Sequence, residues 1–206
     1  MISLYFGLPG AGKTTLMTYF AYRYLKSGRC VYGNVHIALP GYVYIDNFCI
    51  GRYDMDGGII LIDEGTIFAD NRDFKNRSAN KVQQLAYFLE HRHHDNDILI
   101  FTQQWDGLDK RIRVITDRVY YVFKGFFTGF LFTRYYRVPY GIIIPDKKSD
   151  SDKLGEIVQG YAKPSFLTRL FNGGWLYRRK YYPYFDSWEC KKLPPLPSVY
   201  RPYRNV

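Results

Sequence analysis

The chain has 206 residues, 47% of them hydrophobic, and a formal net charge of +10 at pH 7; this length fits one large domain, or one domain with a tail, and is enough to bury a substantial core. No stretch reaches the roughly 18 uninterrupted apolar residues of a membrane-spanning helix, and the opening Met-Ile-Ser does not resemble a secretory signal. The three cysteines stand at unrelated spacings, which argues against a disulfide framework or a zinc site and favours a reducing, cytosolic setting.

The first predicted elements are a short buried strand over residues 2–6 and a glycine-rich loop directly after it. The loop matches G-x-x-x-x-G-K-[ST], a pattern whose backbone N–H groups surround a polyphosphate. Lys13 would reach the β- and γ-phosphates, and the Thr14 hydroxyl would coordinate Mg²⁺. The predicted nucleotide-binding residues are Gly7, Pro9, Gly10, Ala11, Gly12, Lys13, Thr14 and Thr15. An ordinary glycine-rich turn would not explain Lys13 and Thr14 together.

A helix is predicted after the loop, and two strands follow it. Leu16, Phe20 and Tyr24 share one helix face, and Gly28 is placed to end the helix as its C′ glycine. Residues 30–37 alternate well enough for a second strand, with Asn34 near its middle, and residues 42–45 form another β-prone piece.

The second chemical landmark is Ile-Ile-Leu-Ile-Asp-Glu at residues 59–64. Four apolar residues followed by two acids indicate a buried parallel strand whose carboxyl end delivers carboxylates to the ligand crevice of an α/β sheet. This pattern is typical of a Walker B element, in which Asp63 would hold Mg²⁺ and Glu64 would activate the attacking water as general base. The alternative is an exposed strand end with two solvated acids.

Residues 82–91 show helical spacing and lead into His91, Arg92, His93 and His94. Only His91 and His94 could share a helix face, so a polar helix end is favoured over a metal site. The next apolar run, residues 98–101, predicts a strand beside the Walker B strand. Gln103 at its tip is a candidate sensor of the γ-phosphate, with a plain strand-terminating amide as the alternative.

The positive charge is concentrated in the second half. Residues 1–110 contain 11 Lys/Arg and 12 Asp/Glu, whereas residues 111–206 contain 18 and 7. This half is also rich in Tyr and Phe, and interleaved cations and aromatics suit single-stranded nucleic acid. A soluble charged face over an aromatic core explains the same pattern equally well.

Four further segments complete the second half. Residues 119–124 and 130–138 are predicted strands, and residues 146–153 a flexible loop. Residues 166–180 favour a core helix with a basic loop over an amphipathic docking segment. Residues 189–206, with four prolines from 194 to 202, are predicted to form a basic, extended tail beyond a domain spanning 1–188.

Taken together, these motifs resemble the Zot family of filamentous-phage assembly ATPases, named after zonula occludens toxin and related to HerA/FtsK-type translocases. The resemblance lies in G-x-P-G-x-G-K-T, I-I-L-I-D-E, H-R-H-H-D-x-D before I-L-I-F-T-Q, and Asp-Lys-Arg-Ile-Arg at 109–113. Asn34 and the Tyr-Phe-Asp-Ser at 184–187 extend the agreement, which therefore spans most of residues 1–188.

The resemblance implies a RecA-like α/β fold, that is, a mostly parallel central sheet flanked by helices. A strand between the Walker A and Walker B strands would carry Gln103. The strands predicted in the second half add a β-rich, aromatic C-terminal extension to this fold. It also implies rings in which an arginine of one subunit reaches the nucleotide of the next. Arg92 is the first candidate for this role, followed by Arg111 and Arg113, with surface arginines that serve solubility as the alternative.

The sequence thus predicts a Mg²⁺-dependent ATP hydrolase that couples turnover to DNA translocation or extrusion during phage or virion assembly. The expected partners are further copies of the chain, a single-stranded phage genome, and coat or envelope assembly proteins. The expected location is the host cytoplasm or the periphery of the inner membrane, with residues 167–177 as one means of membrane contact. A P-loop kinase and a non-catalytic nucleotide-binding assembly factor are the alternatives.

Overall fold

Apolar runs of four to six residues form the centre of a mixed β-sheet with helices on both faces. A computed structural model describes residues 1–46, 50–64, 79–103, 108, 110–124, 131–138, 140–143, 158–161 and 173–186. The elements are β1 (Ile2–Phe6), α1 (Lys13–Lys26), β2 (Val31–Gly33), β3 (Tyr42–Tyr44), β4 (Ile59–Ile62), α2 (Ala79–Glu90), β5 (Asp97–Thr102), α3 (Lys110–Ile115), β6 (Arg118–Lys124), β7 (Phe132–Val138), β8 (Tyr140–Ile143), β9 (Val158–Tyr161) and β10 (Gly173–Tyr177). Two short 3₁₀ turns, Arg178–Lys180 and Tyr182–Tyr184, follow β10.

The described strands form an eight-stranded sheet in the order β10-β7-β6-β1-β5-β4-β2-β3, and β8 pairs separately with β9. The six strands from β6 to β3 are parallel, whereas β7 and β10 add to the β6 side as antiparallel strands. The predicted α/β fold with a mostly parallel sheet is confirmed. The carboxyl ends of β1, β5 and β4 therefore lie side by side at one edge.

Two hydrophobic cores, one on each face of the sheet, hold the helices. Leu16, Met17 and Phe20 of α1 pack with Tyr5 and Phe101 on one face. On the other face, Tyr87 and Phe88 of α2 and Ile112 of α3 join a core that includes Ile2, Leu4, Ile60, Ile98 and Ile100. Because successive strand residues point to opposite faces, the continuous apolar strands are buried from both sides.

The end of α1 is as predicted. Gly28 has φ +80°, its N–H donates to Leu25 O, and the N–H of Arg29 donates to Tyr24 O at 3.1 Å. These two bonds are the pair that defines a Schellman helix end, which requires a left-handed residue at C′.

The helix favoured for residues 166–180 is wrong where the structure describes them. Gly173–Tyr177 is strand β10, which pairs with β7 in the register Trp175↔Arg134. Gly173 lies so close to β7 that a Cβ would overlap Tyr135 O, and glycine is a poor helix former. The predicted loop at 146–153 and tail at 189–206 lie outside the described residues.

No helix in the described ranges combines the length and apolarity needed to cross a membrane.

Candidate nucleotide site

The glycine-rich loop joins β1 to α1 at the carboxyl edge of the parallel strands. The N–H of Gly7 donates to Thr102 O at the end of β5 at 3.2 Å, and α1 begins at Lys13. Gly10 and Gly12 have φ +73° and +96°, values that favour glycine because a Cβ is strained there. The loop is thus anchored to the strand that Gln103 follows.

Lys13 lies inside this loop. Its Nζ donates to Gly7 O at 2.8 Å and to Leu8 O at 3.2 Å, and only 8% of the residue is exposed. Burial lowers the pKa of its ammonium, and the charges of Asp63 and Glu64 oppose that shift. The lysine charge is therefore held in the curve of the loop, where a polyphosphate would bind.

Asp63 at the end of β4 contacts the loop directly. The Thr14 hydroxyl donates to Asp63 Oδ2 at 3.3 Å. Burial is the main cause that raises the pKa of the Asp63 carboxyl, while Lys13 and Thr14 lower it. A hydroxyl and a carboxylate are hard oxygen ligands of the kind that Mg²⁺ prefers, so this pair fits the predicted metal position.

Glu64 and Gln103 meet at the same edge, one after β4 and the other after β5. Gln103 Nε2 donates to Glu64 Oε1 at 2.8 Å, and both side chains are exposed. Glu64 has φ +54°, which for a residue other than glycine costs on the order of 1–3 kcal/mol. The structure thus places the predicted general base and the predicted sensor in direct contact beside the loop.

Asn34 braces this edge in a way that the sequence did not reveal. It lies one residue beyond β2, not within a strand as predicted. Its Nδ2 donates to Asp63 O at 2.9 Å, and its Oδ1 accepts from Asp63 N at 2.7 Å. The side-chain amide therefore makes the two hydrogen bonds with the Asp63 backbone that a neighbouring strand would otherwise make. These bonds fix the backbone that carries both acids.

Strand β7 and the turn after β10 contribute two more contacts to the loop, and sequence reasoning missed both. Thr133 Oγ1 donates to Ala11 O at 3.1 Å, and Arg178 Nη2 lies 3.5 Å from Gly10 O. Arg178 follows β10 directly and is only half-buried. The one available signal was the Arg178–Arg179–Lys180 run, which by itself indicates no more than a basic turn.

Arg92 lies away from the candidate site within this chain. Its Nη2 pairs with Asp117 Oδ1 at 3.0 Å, and Asp117 Oδ2 accepts the N–H of Ile2 at the start of β1. Arg92 thus lies at the amino edge of the strands, opposite the loop, with 74% of its side chain exposed. Arg111 is exposed and Arg113 half-buried in α3. The role of these arginines across a subunit boundary stays a prediction.

The histidine cluster lies at the amino edge as well. His91 is buried at the end of α2 and its Nδ1 bonds to Phe88 O, whereas His94 Nδ1 contacts Asp56 Oδ1 at 2.8 Å. These separate partners place the two side chains in structural roles at the end of α2. Across the described part of the chain, no three His, Cys, Asp or Glu side chains are grouped to hold a metal ion.

A glycine-rich loop after a central strand, a lysine within it, and acids at the end of a parallel strand with one strand between define a P-loop NTPase of RecA-like fold. The chain belongs to the Zot family: the model for zonular occludens toxin (Zot) matches residues 41–167, more than half of the sequence. The family expectation drawn from the motifs is thus confirmed.

One solved structure of the family shows the same fold. The N-terminal domain of zonular occludens toxin from Neisseria meningitidis superposes with a TM-score of 0.52 at 17% identity, covering 83% of this chain and 97% of that one. B204, the DNA-packaging ATPase from Sulfolobus turreted icosahedral virus, gives 0.46 at 11%, covering 80% and 97%. The flagellar accessory protein FlaH from Methanocaldococcus jannaschii gives 0.46 at 13%, covering 66% and 76%. No curated protein matches the chain.

Proposed function

We propose that this protein is a Mg²⁺-dependent ATPase that drives DNA translocation or extrusion during phage or virion assembly. The observation that carries the enzymatic part is the Gln103–Glu64 contact of 2.8 Å beside a loop that Asp63 already touches through Thr14. The DNA task is taken from membership of the Zot family and from the basic, aromatic second half.

Each residue has a definite task in this proposal. Loop N–H groups and Lys13 bind the phosphates, and Thr14 and Asp63 hold the metal, which supplies charge neutralisation at the phosphoryl oxygens. Glu64 accepts a proton from water, and the amide of Gln103 orients the carboxylate and detects the γ-phosphate. Asn34 keeps the two acids in place.

The Glu64→Gln substitution tests the assignment of the general base. We expect the hydrolysis rate of the variant to fall by roughly 10²–10⁴, because a positioned base contributes about that factor, while ATP binding persists. Steady-state phosphate release and equilibrium binding of a fluorescent ATP analogue measure the two quantities. Glu90→Gln is the matched control, since Glu90 is an exposed acid at the end of α2. Hydrolysis by the Glu64 variant at the wild-type rate would contradict the assignment.

The DNA task is tested separately with the unmodified chain. We expect single-stranded DNA to raise the ATPase rate and to bind with an affinity that falls as salt rises, since phosphate contacts release counterions. If DNA does not change the ATPase rate and no salt-dependent binding is detected, the DNA part of the proposal is wrong and the ATPase serves another process. Turnover that requires an added phosphoacceptor would instead favour a kinase.

A further inference from the structure

An exposed patch of aromatic rings covers one face of the antiparallel part of the sheet. We define this aromatic face as Phe123 of β6, Phe132 and Arg134 of β7, and Trp175 and Tyr177 of β10. The strand register places Phe123, Arg134 and Trp175 in one row across three strands, and Phe132 and Tyr177 side by side in the next. All five residues point to the same side because residues two apart on a strand share a face.

The contacts within the face hold a cation among the rings. Arg134 Cζ lies 3.7 Å from the centroid of the Trp175 ring and 5.5 Å from that of Phe123. Phe132 packs at 6.3 Å from Trp175 and at 5.5 Å from Tyr177. Trp175 nevertheless remains 56% exposed and Tyr177 44%. These rings are braced by one another and still open to a ligand.

The opposite side of the same strands is buried. Thr133 is 0% and Leu176 4% exposed. The side chains on this face are therefore packed against the rest of the protein, whereas Trp175 and Tyr177 on the other face are exposed to solvent.

Of the three cations that follow β10, Arg178 lies against the loop at Gly10 and Lys180 lies over the Tyr22 ring of α1, both on this buried side. Arg134 is therefore the cation that the described contacts place within the aromatic face. Exposed rings with a cation among them suit a ligand that offers flat π-faces and negative charge.

We propose that the aromatic face binds single-stranded nucleic acid, with bases stacked on Trp175 and Tyr177 and phosphates near Arg134. A duplex is a poor fit, because its base faces are hidden by stacking. The proposal rests on the DNA task given under Proposed function and assigns that task a surface.

The position of β10 also connects this face to the nucleotide. Tyr177 is the last residue of β10, and the next residue, Arg178, lies 3.5 Å from Gly10 O of the phosphate-binding loop. A movement of the loop on nucleotide binding would therefore displace Arg178 and shift strand β10, which carries Trp175 and Tyr177. We expect the affinity for single strands to differ between the nucleotide-free and ATP-bound chain.

Fluorescence anisotropy with a labelled oligothymidylate, an oligouridylate and a DNA duplex tests the proposal on the full chain. Replacing both rings, Trp175→Ala with Tyr177→Ala, should weaken single-strand binding by about tenfold or more, since each stacked base is worth a measurable part of the affinity. Trp175→Phe should retain most of the affinity because a ring remains. Arg134→Gln should reduce the salt dependence of binding.

The control is Tyr53→Ala, since Tyr53 is 66% exposed in the turn before β4 and lies outside the aromatic face. ATPase activity without DNA, circular dichroism and solution mass establish that the variants are folded.

If the wild type binds single strands and the double variant binds them equally well, the aromatic face is not the DNA surface, although the proposed function stands. If the wild type binds no oligonucleotide, the DNA task itself fails. Loss of an oligomer in the double variant would assign the face to contact between subunits.

Discussion

At the scale of single residues, Asn34 makes a contact with the candidate site that the sequence did not indicate. Two hydrogen bonds join its side chain to the backbone N–H and C=O of Asp63, so it positions the backbone of a predicted metal ligand. Asn34→Ala should lower the hydrolysis rate by roughly tenfold, since displacing a second-layer partner of a metal ligand typically costs 10–100-fold. ATP binding measured without Mg²⁺ should change little.

Asn34→Asp separates positioning from loss of volume. The aspartate keeps an oxygen that can accept from Asp63 N and loses the Nδ2 donor to Asp63 O. We expect a rate between those of the wild type and the alanine variant, with a shifted dependence on Mg²⁺ concentration. Equal rates in all three proteins would mean that the brace has no part in catalysis.

Arg178 is a second residue that the fold brings to the phosphate-binding loop from a distant part of the sequence. Its guanidinium lies against the phosphate-binding loop at Gly10 O, so its positive charge adds to that of Lys13. Arg178→Ala should weaken ATP binding by roughly 10- to 100-fold, because a charge-assisted contact is worth about 1.5–3 kcal/mol. Arg178→Lys should recover part of this affinity through its charge alone. Arg179→Ala, an exposed neighbour, should bind ATP as the wild type does; a loss as large as that of Arg178→Ala would point to the general charge of the turn.

At the scale of elements, the packing of β7 against the phosphate-binding loop can be tested with a matched pair of glycines. Both Gly10 and Gly12 have positive φ, but a Cβ on Gly10 would meet no atom within 4 Å, whereas one on Gly12 would overlap Thr133 Oγ1. Gly10→Ala should therefore cost only backbone strain, and Gly12→Ala should in addition push the loop away from β7. We expect ATP binding to fall further in Gly12→Ala.

Combining Gly12→Ala with Thr133→Ala supplies the check. Removing the hydroxyl relieves the overlap, so the double variant should bind ATP better than Gly12→Ala alone, although the strain at φ +96° remains. Thermal unfolding with and without ATP measures both effects. If the double variant binds no better, the contact with Thr133 is not what limits substitution at Gly12.

The elements also differ in how well the sequence predicts them. The phosphate-binding loop, β4 and β5 could be predicted because their signals are local: glycines at fixed spacing, and apolar runs long enough to be buried on both faces. Strand β10 could not, since a five-residue strand gains its stability from pairing with β7 and the apolar spacing of its surroundings also fits a helix. Arg178 and Asn34 act across 168 and 29 residues of sequence, and no local pattern encodes such contacts.

At the scale of the whole molecule, the two edges of the parallel sheet carry different groups. The carboxyl edge holds the loop, the two acids and Gln103. The amino edge holds Arg92, paired with Asp117 and largely exposed. Since β1 separates them by five residues, or roughly 16 Å at about 3.3 Å per residue, Arg92 is out of reach of the nucleotide in its own subunit. A catalytic role for Arg92 therefore requires head-to-tail assembly, which closes into a ring when the rotation allows.

Mixing two inactive variants tests this assembly. Lys13→Ala subunits would bind ATP poorly and keep Arg92, whereas Arg92→Ala subunits would keep an intact nucleotide site. In randomly mixed rings roughly a quarter of the interfaces would pair an intact site with an intact arginine, because each interface uses one subunit for each part. We expect mixing to restore ATP hydrolysis in proportion to the fraction of such interfaces.

A mixture of Lys13→Ala and Glu64→Gln subunits is the control. It should show no more hydrolysis than the two variants show separately, since both residues act in the nucleotide site of the same subunit. Mixed oligomers, verified by mass, that stay inactive in the first mixture would exclude Arg92, and the same experiment with Arg111→Ala would then test the next candidate.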